Sequence, residues 1–205
     1  MPKVDLYGIY RKLLAEYGPQ HWWPMSRSFE PEEWEVVAGA VLTQNTNWRN
    51  VEKALDRLKS AGVVSHRDML SIGESTLKQL IHPAGFYNQK AERLKALAEC
   101  IESFGSFTEF SRRVTRERLL AIKGIGPETA DSILLYACGK PYFVVDSYTR
   151  RLFTRMGMLN GKESYEEVRD MFESALPKDV QLYREYHALI VADGKAKPKR
   201  AKLPF

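Results

Sequence analysis

The stretch from Leu119 to Arg151 restricts the fold of this chain more than any other segment. A short apolar run stops at Gly124, and Pro127 begins the next run, at a position where a missing N–H costs a helix nothing. Apolar residues then recur with the spacing of one buried helix face, at Ala130, Ile133, Leu134 and Ala137. The pattern predicts two short helices joined by a tight glycine turn.

The turn Gly124-Ile125-Gly126 precedes a helix start, so several backbone N–H groups point outward with the positive end of the helix dipole behind them. This geometry binds a phosphate and reads no base sequence. We therefore expect this turn to bind a phosphate group. A plain helical hairpin without a ligand is the alternative that the stretch alone leaves open.

Downstream of the hairpin, Tyr142 to Val145 is a short apolar segment that we expect to be extended. Asp146 follows it at the N-cap position of a helix predicted from Ser147 to Met156. A solvated capping aspartate would explain this residue without any function.

Together these segments resemble the helix-hairpin-helix, Gly/Pro-rich loop and aspartate signature of the endonuclease III superfamily of DNA base-excision glycosylases. The resemblance rests on two ordered runs, Ile122 to Asp131 and Phe143 to Arg151, and extends over roughly residues 20–195. It implies an all-α fold with two helical lobes. It also implies double-stranded DNA as the partner, contacted at the hairpin by Lys123, Gly124, Ile125, Gly126, Glu128 and Thr129. The central lobe would span 30–140, with the hairpin at about 115–138, and the second lobe would combine 1–29 with 141–205.

A polar break from Thr43 to Trp48 separates two helical runs, and it also resembles endonuclease III around Gln44 and Asn45. In that family the glutamine at this place enters the DNA stack and fills the gap left by an extruded base, which implies DNA contacts here. The alternative is that the Gln44 amide only caps a helix.

Aromatic residues lie on both sides of the first predicted helix of that lobe, with Trp22, Trp23 and Pro24 before it and Trp48 after it. Their faces suit the wall of a pocket for a flat base. A packing lid over the helices is the alternative.

Bifunctional members of the family have a lysine two residues after the last turn glycine, and that lysine attacks the sugar to form an imine. This chain has Glu128 there, and a carboxylate cannot form an imine. The resemblance therefore implies a monofunctional enzyme in which Asp146 stabilises the sugar cation and activates water. Glu128 would either orient the water or the base, or be an exposed acid favoured by the helix dipole. His187, on the last predicted helix, is interpreted as an ordinary structural histidine.

Many relatives hold an iron–sulfur cluster with four C-terminal cysteines, but residues 188–195 contain none here, so no cluster is expected. With the Trp22-Trp23-Pro24 segment and Trp48, this departure resembles the branch of 3-methyladenine DNA glycosylases that lacks the cluster and implies an alkylated purine as the substrate. The alternatives are a bifunctional glycosylase and abasic-site lyase on oxidised or mismatched bases, and a non-catalytic helix-hairpin-helix DNA-binding protein. The family often adds a monovalent cation (Na⁺ or K⁺) on main-chain carbonyls, here those of Leu120, Ile122 and Ile125. No other cofactor is expected.

The net charge of +5 is concentrated at the C-terminal end, because residues 194–205 carry five basic residues and no acid. Such a tail suits a DNA backbone, or it is simply a solvated end. No apolar run is long enough to predict a membrane span, the N-terminus lacks the pattern of a signal peptide, and two distant cysteines favour a reducing compartment. We expect a cytoplasmic monomer that binds no membrane.

Overall fold

The computed structural model describes residues 5–23 and 28–196. Helices dominate that part of the chain, with one 3₁₀ turn at His82–Ala84, one π-helical turn at Ile133–Ala137 and no strand. In chain order the helices are α1 (Leu6–Tyr17), α2 (Glu32–Leu42), α3 (Trp48–Ser60), α4 (His66–Ser71), α5 (Glu74–Ile81), α6 (Tyr87–Glu102), α7 (Phe107–Arg113), α8 (Arg116–Leu120), α9 (Pro127–Ser132), α10 (Ser147–Arg155), α11 (Tyr165–Ala175) and α12 (Val180–Lys195). The all-α prediction is confirmed. Across the described ranges, no helix combines the length and apolar character that a membrane crossing requires.

The chain divides into two compact units, one containing the residues up to Trp22 and from Pro141 onward, and the other running from Trp23 to Lys140. In the first unit, α12 packs against α1 and α10. Its core is aromatic: Phe143 stacks on Phe172 with ring centroids 3.9 Å apart. Because Phe143 lies in the predicted extended segment, its burial fixes the path of the chain that leads to Asp146.

In the second unit, α2 is buried on every side beyond its first turn, which is typical of a helix at the centre of a core. The ammonium group of Lys90 on α6 is also fully buried, and it donates hydrogen bonds to the carbonyl oxygens of Leu42 at 2.8 Å and Ala84 at 2.7 Å. Burial lowers the pKa of Lys90 to about 8. These bonds fix the end of α2, and with it the start of the polar break at Thr43, to α6.

The predicted hairpin is present, because α8 and α9 are joined by a turn in which Gly124 has a φ of 85°. Glycine adopts this left-handed backbone without steric cost. The second helix differs from the prediction: α9 continues as a π-helical turn, in which the Cys138 N–H donates to the Ile133 carbonyl five residues back. The residues predicted for one buried face are nevertheless buried, and this turn packs against α2.

Candidate active site and DNA-binding elements

Asp146 lies at the N-terminus of α10, directly after the buried segment that ends with Val145. Its Oδ1 atom accepts hydrogen bonds from the backbone N–H of Thr149 at 2.8 Å and from the Thr149 hydroxyl at 3.0 Å. This is the N-cap arrangement that the sequence predicts. The two hydrogen bonds hold the carboxylate in one orientation. Because 14% of the side chain remains exposed, an edge of the carboxylate is still open to solvent.

His187 on α12 lies beside this carboxylate, with its Nε2 atom 3.5 Å from Asp146 Oδ2. Burial by itself would raise the pKa of the Asp146 carboxyl, but the His187 imidazole and the two Thr149 donors outweigh it and hold the pKa below its usual value. Asp146 is therefore ionised at neutral pH. The sequence interpretation of His187 as an ordinary helix histidine misses this contact, because no local pattern indicates which distant residue a helix face meets.

Trp22 belongs to the same unit as Asp146. Its ring centroid lies 5.8 Å from that of His187 and 5.5 Å from Lys195 Nζ. His187 thus contacts both the Asp146 carboxylate and the predicted pocket aromatic Trp22.

Gly194 and Lys195, the first two residues of the predicted basic tail, lie in the last turn of α12. A glycine is accommodated inside this helix because it packs against Tyr148, where a Cβ would overlap the ring. Residues 197–205 of the predicted tail lie outside the described residues.

Trp23 and Trp48 belong to the second unit, where they pack edge to face with ring centroids 5.5 Å apart. Tyr136 of the π-helical turn adds a third ring, 5.2 Å from Trp23. Gly39 on α2 leaves room for this cluster, since a Cβ there would lie 3.3 Å from Trp23 Cζ2. The structure therefore brings two of the predicted pocket aromatics together, whereas Pro24 lies outside the described residues.

Gln44 follows α2, and its side-chain amide is bonded to the hairpin. The Nε2 atom donates to the Gly124 carbonyl oxygen at 3.1 Å and to the Thr129 hydroxyl at 2.9 Å, while Oε1 accepts from Arg93 Nη1 at 2.5 Å. The next residue, Asn45, is exposed and has a left-handed φ of 53°. The sequence analysis predicts DNA contacts for Gln44, Gly124 and Thr129, but it did not identify Arg93.

At the hairpin turn Lys123, Gly124 and Glu128 are exposed, whereas Ile125 and Thr129 are buried. The Ile125 N–H donates to the Ile122 carbonyl oxygen at 3.0 Å, so this amide is engaged within the turn. Glu128 and Thr129 occupy the first turn of α9, where backbone N–H groups have no acceptor within the helix. The exposed residues and these two amides therefore remain the best candidates for phosphate contacts.

The carbonyl groups predicted to hold a monovalent cation belong to this same turn. The Ile122 oxygen accepts one hydrogen bond from Ile125 and keeps a second lone pair, so the arrangement is compatible with a cation shared with Leu120. Such a cation stays a prediction. In residues 5–23 and 28–196, no cluster of three or more His, Cys, Asp or Glu side chains is suited to a metal ion.

Comparison with known proteins decides the family. Residues 38–178 match the HhH-GPD superfamily of base excision DNA repair proteins. This chain belongs to that superfamily. A Methanocaldococcus jannaschii protein, MJ1434, whose name describes it as a candidate DNA repair glycosylase, is 48% identical over 192 residues, which are 91% of this chain and 85% of that protein.

Solved structures of HhH-GPD proteins agree with this assignment. The H. pylori 3-methyladenine DNA glycosylase MagIII, bound to 1,N6-ethenoadenine, has a TM-score of 0.80 and 35% identity, and covers 95% of this chain and 100% of its own. A non-covalent endonuclease III–DNA complex has a TM-score of 0.80 at 20% identity, covers 100% of this chain and 93% of its own, and supports the fold. The resemblance found in the sequence is confirmed: the chain is a DNA glycosylase of the HhH-GPD superfamily with an endonuclease III-like fold.

Proposed function

We propose that this DNA glycosylase is monofunctional and releases an alkylated purine, such as 3-methyladenine, from double-stranded DNA. The observation that carries the proposal is the ionised carboxylate of Asp146, held in one orientation by Thr149 and His187 with an edge open to solvent. A fixed negative charge of this kind stabilises a developing sugar cation. The 35% identity to MagIII, whose structure contains 1,N6-ethenoadenine, favours a modified purine as the base.

The exposed hairpin turn would grip the DNA backbone. Lys123 brings a positive charge, and the first-turn N–H groups of Glu128 and Thr129 donate hydrogen bonds. Such contacts carry no sequence information, which suits an enzyme that searches DNA of any sequence. Gln44 and Asn45 would enter the duplex while the damaged nucleotide turns outward, a movement that costs a few kcal/mol and least for a poorly paired base.

The tryptophans would recognise the extruded base. A purine alkylated at N3 or N7 carries a positive charge, and aromatic faces attract such a cation by roughly 0.5–2 kcal/mol each. Trp22, Trp23 and Trp48 are the candidates. The Trp48 ring is held by a hydrogen bond from its Nε1 to Glu52 Oε1 at 3.0 Å, and the same carboxylate adds negative charge beside it.

The chemistry then needs no enzyme amine. A positively charged base is already a good leaving group, so a strong general acid is not required. As the glycosidic bond breaks, Asp146 stabilises the positive charge on the sugar and positions or deprotonates the attacking water. Glu128 occupies the place of the imine-forming lysine, so water completes the reaction.

Incubation with methylated DNA tests this proposal. We expect free 3-methyladenine, measured by mass spectrometry, and abasic sites that break only when the DNA is heated in alkali. Sodium borohydride should trap no covalent protein–DNA adduct, because no imine forms. Glu128→Lys is a matched positive control, since it places an amine where bifunctional relatives have one and should produce a trapped band.

Other outcomes would favour the rival functions. A strong borohydride-trapped band with the native chain would show that one of its lysines acts as a nucleophile. Strand cleavage after release of an oxidised or mismatched base would identify a bifunctional glycosylase and lyase. DNA binding without release of any base would leave a non-catalytic helix-hairpin-helix protein.

Trp48→Ala should slow excision of methylated purines by about tenfold, the upper part of the range for a desolvated cation–π contact. Binding to a duplex with an abasic-site analogue should change little, because that duplex has no base for the ring to stack on. The two quantities are measured by single-turnover base release and fluorescence anisotropy. Tyr7→Ala, at an exposed aromatic of α1, is the matched control, and equal losses of excision and binding in Trp48→Ala would contradict a base-stacking role.

A further inference from the structure

We propose that Arg93 of α6 is a positioning residue for Gln44, and that it keeps the side-chain amide in a single orientation against the hairpin turn before DNA binds. The inference rests on the proposed entry of Gln44 into the duplex. It concerns a residue of α6 that lies outside both the hairpin and the polar break, and it is carried by three hydrogen bonds within the second unit.

The hydrogen bonds select one of the two ways in which the Gln44 amide can face. A guanidinium group only donates and a peptide carbonyl only accepts. In the structure Oε1 faces Arg93 Nη1 at 2.5 Å, and Nε2 faces the Gly124 carbonyl oxygen at 3.1 Å. Turning the amide over would place donor against donor and acceptor against acceptor, so only the observed orientation satisfies both partners. The Thr129 hydroxyl, 2.9 Å from Nε2, takes the second amide proton.

Arg93 is itself held in place by the shape of the turn. A Cβ on residue 124 would overlap the Arg93 guanidinium, so the glycine leaves the space that this side chain fills. One turn earlier on α6, the buried Lys90 ammonium binds the Leu42 carbonyl at the end of α2. Helix α6 therefore fixes the backbone before Gln44 through Lys90 and its side chain through Arg93.

This arrangement joins the Gln44 side chain, which is proposed to enter the duplex, to the hairpin turn that is proposed to bind the DNA backbone. The Gln44 amide bonds to the carbonyl of Gly124, a residue of the turn proposed to contact phosphate. A side chain already held in place loses less conformational freedom when it enters an interface than a mobile one does. Loss of Arg93 should therefore weaken binding most for DNA with a gap that the Gln44 side chain can fill, and least for an intact duplex.

A double-mutant cycle in the full-length chain tests this assignment. The variants are Arg93→Met, Gln44→Ala and the two combined, and the readout is affinity for a duplex with an abasic-site analogue relative to an undamaged duplex. Arg93→Met should weaken abasic-site binding by about tenfold, as expected for loss of a hydrogen bond to a charged group. The double variant should bind no more weakly than Gln44→Ala alone. Arg93→Lys keeps the charge without the planar fork and should resemble Arg93→Met.

Arg112→Met on α7 is the matched control, because it removes one positive charge from an exposed side chain that pairs with Glu109. It should leave the ratio of the two affinities unchanged. If Arg93→Met weakens binding equally in the native and Gln44→Ala backgrounds, with a lower salt dependence, Arg93 contacts a phosphate and the proposal is overturned. An unchanged affinity ratio in Arg93→Met and Arg93→Lys also overturns it. Since an abasic duplex contains no base to release, failure of the proposed base excision would appear only with methylated DNA.

Discussion

Asp146→Asn is expected to bind abasic DNA as tightly as the native chain and to release base about 10²- to 10³-fold more slowly. The substitution preserves shape, since the asparagine Oδ1 can still accept the hydrogen bonds of Thr149 and cap α10. It removes the negative charge that would face the sugar as the glycosidic bond breaks. Single-turnover release from methylated DNA, measured beside the affinity for an abasic duplex, separates chemistry from binding.

Asp179→Asn is the matched control for this variant. Asp179 is also an N-cap aspartate of the first unit, where its Oδ1 accepts from the Leu182 N–H at 2.6 Å at the start of α12. The Asp179→Asn variant should retain the native rate of base release, because it makes the same change of charge at a capping position that is not proposed to face the substrate. Near-native release by Asp146→Asn would remove the Asp146 carboxylate from the mechanism.

The parts of the site that the sequence predicts are those with local causes. Gly124 and Pro127 mark the turn because glycine tolerates a left-handed backbone and proline suits a helix start. The sequence predicts Asp146 at an N-cap because a polar residue with a short side chain follows an apolar segment and precedes a helix, and its bonds to Thr149 confirm that prediction. Each of these signals is contained within a few consecutive residues.

The side-chain contacts that orient Asp146 and Gln44 could not be predicted, because they join segments far apart in the chain. His187 meets Asp146, and Arg93 meets Gln44, only after the helices that carry them have packed. Adjacent tryptophans pose a similar difficulty, since a sequence does not indicate that Trp22 packs near His187 while Trp23 packs against Trp48. Tertiary packing decides these partners.

The apolar pattern of the sequence does not predict two of the helices, for a different reason. Helices α4 and α7 contain six and seven residues, which is too short for an apolar period to repeat. Each begins after a serine, Ser65 or Ser106, whose side chain accepts a hydrogen bond from the backbone three residues later. These caps were the available signal, because a capping serine indicates a helix start regardless of helix length.

Arg116→Met is expected to destabilise the protein by about 3–5 kcal/mol, the cost of breaking a buried ion pair by removing one of its members. Arg116 on α8 donates from Nε to Asp131 Oδ1 at 2.6 Å and from Nη2 to Oδ2 at 3.2 Å, and so joins the two helices of the hairpin. The side chain of Asp131 is fully buried. Urea unfolding at neutral pH, followed by circular dichroism, measures the change.

Combining Arg116→Met with Asp131→Leu removes both charges and should recover most of the stability, since an apolar pair carries no desolvation penalty.

Arg112→Met is the matched control on the neighbouring helix α7, where Arg112 pairs with Glu109 at 2.9 Å in an exposed position. An exposed pair of this kind contributes about 0.2–1 kcal/mol at most, so this variant should unfold almost like the native chain. If Arg116→Met costs no more than Arg112→Met, the buried pair does not hold the hairpin together. The hairpin would then depend on its other contacts, among them the apolar packing of the π-helical turn on α2.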